Sequence, residues 1–244
     1  MASRYIERSV LIFLLFFGLS NSIACAGDYA SRQIIGFSPD GRYFAFEQYG
    51  VQDGSGFPYS EIFILDTGAD KWVQGSPIRQ RIDDEKAVQA EVRKQARSQA
   101  EPLLEKLRIT EPGELLASNP RPELSADPGR VVFNSAHQFT PPVTKPVTVT
   151  LSEKPLDPGE CGQYTDEPIK GFTLTMTPED REVIVLHDDK SVPATRGCTL
   201  GYAIADVLRH ENEGKTAYAI LLHVTTVGFE GPNSRFLAVT RRLP

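Results

Sequence analysis

Residues 33–46 read QIIGFSPDGRYFAF, two apolar-rich runs separated by a turn sequence. Pro39 and Gly41 in Ser38-Pro39-Asp40-Gly41 suit a type I turn, and the Ser38 hydroxyl can hydrogen-bond back onto the turn backbone. With aromatic or aliphatic residues on both flanks, the stretch predicts a β-hairpin. Working outward, a glycine-rich loop (Gly50, Gly54, Gly56) leads to EIFILD at residues 61–66, a third strand stopped by Thr67-Gly68. Lys71-Trp72-Val73 supplies material for a short fourth.

Upstream, residues 10–19 read VLIFLLFFGL, preceded by Arg4 and Arg8 and followed by Ala24-Cys25-Ala26. A membrane-spanning helix needs roughly 20 apolar residues. A basic start, a short apolar run and an A-x-A site instead match a secretory signal peptide over residues 1–26. A retained anchor and a lipoprotein signal at Cys25 are the alternatives, the latter weakened by Ser22 standing where such signals carry Leu. Cleavage after Ala26 removes 26 of 244 residues and leaves 218, Gly27–Pro244. Two arginines and one glutamate go with them, so the formal charge moves from −6 to −7. Cleavage also discards Cys25, leaving Cys161 and Cys198 as an even pair in an exported protein. That pair predicts a disulfide, with free thiols or half of a metal site as alternatives. The expected location is periplasmic or secreted, with no transmembrane anchor once the signal is cleaved.

Composition narrows the rest. With 40% hydrophobic and 24% charged residues, the chain is near the globular average. The 26 basic residues fall short of the 32 acidic ones, which argues against a nucleic-acid partner.

Downstream, Val88, Val92, Ala96, Leu103 and Leu107 recur at helical spacing between Asp83 and Leu107. This predicts one amphipathic helix packed on a sheet, with partner binding as the alternative use of its stripe. Pro102 is expected to kink or break it. Nine of the 18 prolines lie between Pro112 and Pro158, so residues 139–158 read as a linker or an edge strand. A second turn, Thr177-Pro178-Glu179-Asp180-Arg181, sits between FTLTM (172–176) and Val183-Ile184-Val185, with Tyr202–Asp206 placed as a third strand. Ser125–Phe133 is a degenerate third hairpin. The chain ends in two strands, TAYAILLHVTTV (216–227) and Arg235–Thr240, joined by GFEGPNS. The expected fold is mainly β: antiparallel blade-like meanders, as a sandwich or partial propeller, with one amphipathic helix. The expected division is 27–138, a linker at 139–158, and 159–244, with one continuous domain as the alternative.

Two resemblances follow from these strings. FSPDGRYFAF, followed by a strand ending in Asp66, resembles one blade of the TolB-like propeller family and implies a repeat of about 40 residues. The signal segment, the SPDG opening and GFEGPNSRFLAV resemble a bacterial family of predicted secreted proteins of unknown function. That likeness implies export and supplies no catalytic residue.

Catalytic motifs are missing. No G-x-S-x-G, P-loop or dinucleotide fingerprint occurs, and His210-Glu211-Asn212-Glu213-Gly214 lacks the second histidine of a zincin. The histidines are His137, His187, His210 and His223; His187-Asp188-Asp189 is the one cluster with cation-binding chemistry, and His223 reads as a hydrogen-bonded core residue. Asp66, Asp70 and Asp206 stand near strand ends without a calcium-loop pattern. Tyr49, Phe57, Tyr59, Trp72 and Phe229 are the aromatic candidates for a binding surface. No catalytic residue, metal site or cofactor is assigned. The reading that results is a non-catalytic exported domain binding a protein or cell-envelope component. An exported hydrolase and a small-ligand or cation-binding protein are the alternatives.

Overall fold

The computed structural model describes residues 27–121, 123–134, 145–178 and 182–243. The signal segment with Cys25, His137, much of the proline-rich tract and the turn residues 179–181 lie outside them.

The opening hairpin forms as expected. Strands β1 (Ser31–Phe37) and β2 (Tyr43–Val51) pair antiparallel around the SPDG turn. The Tyr43 amide donates to Ser38 Oγ (2.9 Å), Ser38 Oγ donates to Asp40 Oδ1 (2.6 Å), and the Gly41 amide donates to the Ser38 carbonyl (2.8 Å). Strand β3 (Pro58–Asp66) pairs with β2, while β4 (Lys71–Trp72) and β5 (Ile78–Arg81) share its far edge. Helix α1 (Gln89–Lys106) covers the outer face of this sheet. Its buried stripe, Val92, Ala96, Ala100 and Leu104, packs on Ala45, Ile62, Ile64 and Ile78. Two alanines in that stripe allow close approach.

The helix starts later than its sequence suggests. Asp83 pairs with Arg81 and Asp84 accepts from the Lys86 amide, so both carboxylates hold the preceding turn instead of the helix dipole. No break occurs at Pro102, which sits on the exposed side of a helix that continues to Lys106. Residues 109–113 then cross β1, where the Phe37 amide donates to the Glu111 carbonyl (2.6 Å). Gly36, at φ 136°, makes room for that crossing, since a Cβ there would strike the Glu111 carbonyl.

Two more sheets follow. Strands β7 (Arg130–Phe133), β8 (Val147–Pro155), β9 (Lys170–Thr177) and β10 (Ile184–Asp188) form an antiparallel meander. Strand β6 (Glu114–Ser118) joins the third sheet in the order β6-β11-β12-β13, with β11 Thr199–Asn212, β12 Lys215–Thr226 and β13 Asn233–Leu243. This third sheet is the middle layer. One of its faces (Tyr202, Ile204, Val207, Ile220, Leu222, Val224) packs on Val149, Phe172, Leu174 and Met176 of the meander. The other (Ala205, Leu208, Ala217, Ala219, Leu221, Phe236) packs on Phe37, Phe44, Phe46 and Phe63 of the N-terminal sheet. The order through the molecule is therefore helix, sheet, sheet, sheet. Residues 217–222 of β12 are buried without interruption, as a strand covered on both faces requires.

A β-bulge in β11 adjusts this packing. Ile204 opposes Leu222 and Asp206 opposes Leu221, leaving Ala205 as the extra residue. Ala205 and Asp206 consequently both face the N-terminal sheet. There Asp206, 1% exposed, takes a two-point ion pair from Arg32 on β1 and a hydrogen bond from Ser118 Oγ (2.8 Å).

Three sequence expectations change. Residues 147–155 form no edge strand: β8 lies between β7 and β9, with a proline only at its last position. The blade repeat stops at its second strand, because Tyr202–Asp206 joins the middle sheet and not β10. In Ser125–Phe133, β7 pairs forward with β8 and closes no hairpin of its own. The architecture is mainly antiparallel β with a single helix among the described residues.

Candidate functional site

Strand β13 is an edge strand of the middle sheet, and the two outer sheets overhang that edge. Between them lies a cleft of about 620 Å³. Its floor is apolar, from Phe46, Phe63, Leu65, Phe236 and Val239. One wall comes from the N-terminal sheet and carries Gln48, Glu61, Asp70, Lys71, Trp72 and Arg79; the opposite wall carries His187, Pro193, Thr195 and Arg196.

The backbone edge of β13 is largely occupied by side chains. The Phe236 amide donates to Gln48 Oε1 (2.7 Å), and the Thr240 amide to Asp70 Oδ1 (2.7 Å). Nearer the start of the strand, Ser234 exchanges hydrogen bonds with the backbone of Asp28 and Ala30. Alternate residues of an antiparallel edge strand point their amides outward, so the Ala238 amide faces the cleft between the two capped ones.

Asp70 adopts a left-handed conformation, φ 51°, at the turn into β4. Burial pushes its carboxyl above the usual carboxylate range; the Thr240 amide and hydroxyl and the nearby His187 and Arg241 oppose that only in part. Asp189 behaves in the opposite way. Burial would raise it, but hydrogen bonds with His187 (2.7 Å), from Arg196 (2.6 Å) and from the Phe172 amide (3.0 Å) outweigh that and hold it at about 2. Arg196 also donates to Tyr202 Oη (3.1 Å) and lies over the Phe172 ring at 5.2 Å, while His187 stacks on the same ring at 4.6 Å. This wall is tied back by the Cys161–Cys198 disulfide, which anchors the chain two residues beyond Arg196 to the helical turn Gly159–Gln163.

The singled-out residues divide sharply. Asp70, Trp72 and His187 come together in the cleft. Within His187-Asp188-Asp189, Asp188 turns to Lys154, Lys190 and Thr173, and Asp189 is matched by Arg196, so the trio does not converge on one point. Asp66 accepts from the Gly68 and Ala69 amides and terminates its strand. His210 faces the Pro39 carbonyl (2.9 Å) and packs on Phe37, so the His-Glu stretch buttresses the SPDG turn. His223 lies against Phe236 at 4.6 Å, but its Nδ1 has no hydrogen-bond partner, contrary to expectation. Tyr59 is buried, its hydroxyl donating to Asp28 (3.0 Å); Tyr49 lies under Arg93; Trp72 and Phe229 are exposed. Sequence reading missed Gln48, Glu61, Arg79, Arg196 and Arg235, which carry no local motif: the first three are cross-strand neighbours in the N-terminal sheet and meet Arg196 and Arg235 only in the cleft.

Among the described residues no helix is long and apolar enough to cross a membrane, and no three His, Cys, Asp or Glu side chains gather as metal ligands. A family model described as predicted secreted protein (DUF2259) matches residues 45–242. No curated protein matches the chain.

Proposed function

Because the chain belongs to this family of predicted secreted proteins, we propose that it is a non-catalytic extracytoplasmic binding domain. Its ligand is a component of the cell envelope small enough to enter the cleft beside β13. The observation that carries this reading is the cleft itself: a cavity of about 620 Å³ where three sheets meet, apolar at its floor and polar on both walls. Pairing of an extended peptide along β13 finds less support, because Gln48 and Asp70 already occupy the amides on either side of Ala238. A hydrolytic reading has one observation in its favour, the hydrogen-bonded His187–Asp189 pair. Against it, Arg196 neutralises the carboxylate, and among the described residues no nucleophile is hydrogen-bonded to the imidazole.

Trp72 is the sole tryptophan of the chain and lines the cleft. Incubating the mature protein with the low-molecular-weight fraction of an envelope extract, then recording native mass spectra and Trp72 fluorescence, tests the proposal. A bound mass and a shifted Trp72 spectrum are expected, both lost in Phe63→Ala. An unchanged mass across extracts would overturn it.

A further inference from the structure

The two best-buttressed cations of the cleft are held from behind. Arg196 pairs with Asp189, and Arg235 pairs with Asp28 while lying over the Tyr59 ring at 4.6 Å. Asp189 and Asp28 are buried, at 5% and 4% exposure, and neither residue lines the cavity, whereas Arg196 and Arg235 do. Each negative charge therefore sits on the far side of its cation. Among the described residues the Arg196 hydrogen bonds run through Nη1, which leaves Nε and Nη2 of a planar fork for a ligand. Lys71 adds an exposed ammonium group to the same lining. The opposing carboxylates are largely engaged: Glu61 accepts from Gln48 (2.6 Å) and Arg79 (2.8 Å), and Asp70 accepts from Thr240. A chain of net charge −6 thus presents a locally cationic cavity wall over an aromatic floor.

We propose that the cleft selects small organic anions, with an apolar ring body on the Phe63–Phe236 floor and an acidic head group at the Arg196 fork. This deepens the preceding reading and rests on it. Fixed guanidinium donors in a partly desolvated site favour a planar or tetrahedral anion over a neutral analogue of the same shape.

The test uses two dyes that differ by one sulfonate, 8-anilinonaphthalene-1-sulfonate and N-phenyl-1-naphthylamine, each read by energy transfer from Trp72. The anionic dye is expected to bind at least about tenfold tighter, a difference of about 1.4 kcal/mol. In the charge-neutral double variant Arg196→Gln/Asp189→Asn, chosen so that no buried carboxylate is orphaned, the two affinities converge to within about twofold. Added salt should erode the preference in the wild-type protein, which requires no variant to fold. Equal affinities in the wild type, or a preference untouched by the double variant, would overturn anion selection and leave the cleft as a binding site. Absence of energy transfer to either dye would overturn the cleft reading itself, and this inference with it.

Discussion

At the scale of single residues, His223 shows how the middle sheet handles a titratable group. Burial, reinforced by the charges of Arg121 and Arg32 and opposed by Asp206, lowers its imidazole to about 4. The unfolded chain takes up this proton near the ordinary value of 6.5, whereas the folded protein resists it until about 4. Between those pH values the unfolded state binds more protons, so stability is lost as pH falls through the window. The loss is on the order of 1–2 kcal/mol, discounted because the ring is only partly buried. Urea unfolding of His223→Gln and wild type from pH 7 to pH 4 should give a difference that narrows steadily on acidification. Parallel curves would assign the wild-type loss to other groups. The imidazole was recognisable in sequence as a core residue. Its missing partner was not, because the Arg32–Asp206 pair beside it is assembled from strands 174 residues apart.

At the scale of elements, turn chemistry was the most readable signal and the β11–β12 turn the one overlooked. Asn212-Glu213-Gly214-Lys215 closes the longest hairpin, with Glu213 at φ 50° and Gly214 at φ 76°. Two consecutive left-handed residues are the mark of a type I′ turn, which favours Asn-Gly. In sequence the same string resembles an incomplete metal motif. Nothing lies within 4 Å of a Cβ built at Gly214, so Gly214→Ala isolates the backbone penalty, about 1–2 kcal/mol of lost stability. Glu213→Asn should act in the other direction, adding up to about 1 kcal/mol. Thermal unfolding of both variants checks the pair of signs. The SPDG hairpin and the terminal hairpin were legible for the same reason: their partners are neighbours in sequence. Strand β6 pairs with β11 across the whole meander, and no local pattern announces such a partner.

At the scale of the whole molecule, that β6–β11 pairing bears on how the chain is divided. The proposed continuous domain is supported by a middle sheet that draws β6 from residues before the 139–158 segment and β11 to β13 from residues after it. Its two cores meet on opposite faces of the same strands. Unfolding should accordingly be a single cooperative step. Trp72 reports from the N-terminal sheet, and far-UV circular dichroism reports all the strands; their urea transitions should coincide. Two separated midpoints would instead establish independent N- and C-terminal units. The cleft belongs to this largest scale as well, since it exists only where all three sheets are in place.

The extra residue at Ala205 changes the reading frame in the middle of β11. Just before it, the even-numbered Tyr202 and Ile204 face the C-terminal meander; just after it, the odd-numbered Val207 does. Removing Ala205 would restore simple alternation, with Ile204 and Val207 still toward the meander and Asp206 and Leu208 still toward the N-terminal sheet, so both halves of the strand would keep their faces. What the extra residue supplies is therefore local: the bend that sets Ala205 and Asp206 side by side on one face. Among related sequences, a strand one residue shorter at this point should still carry apolar residues in the places of Ile204 and Val207.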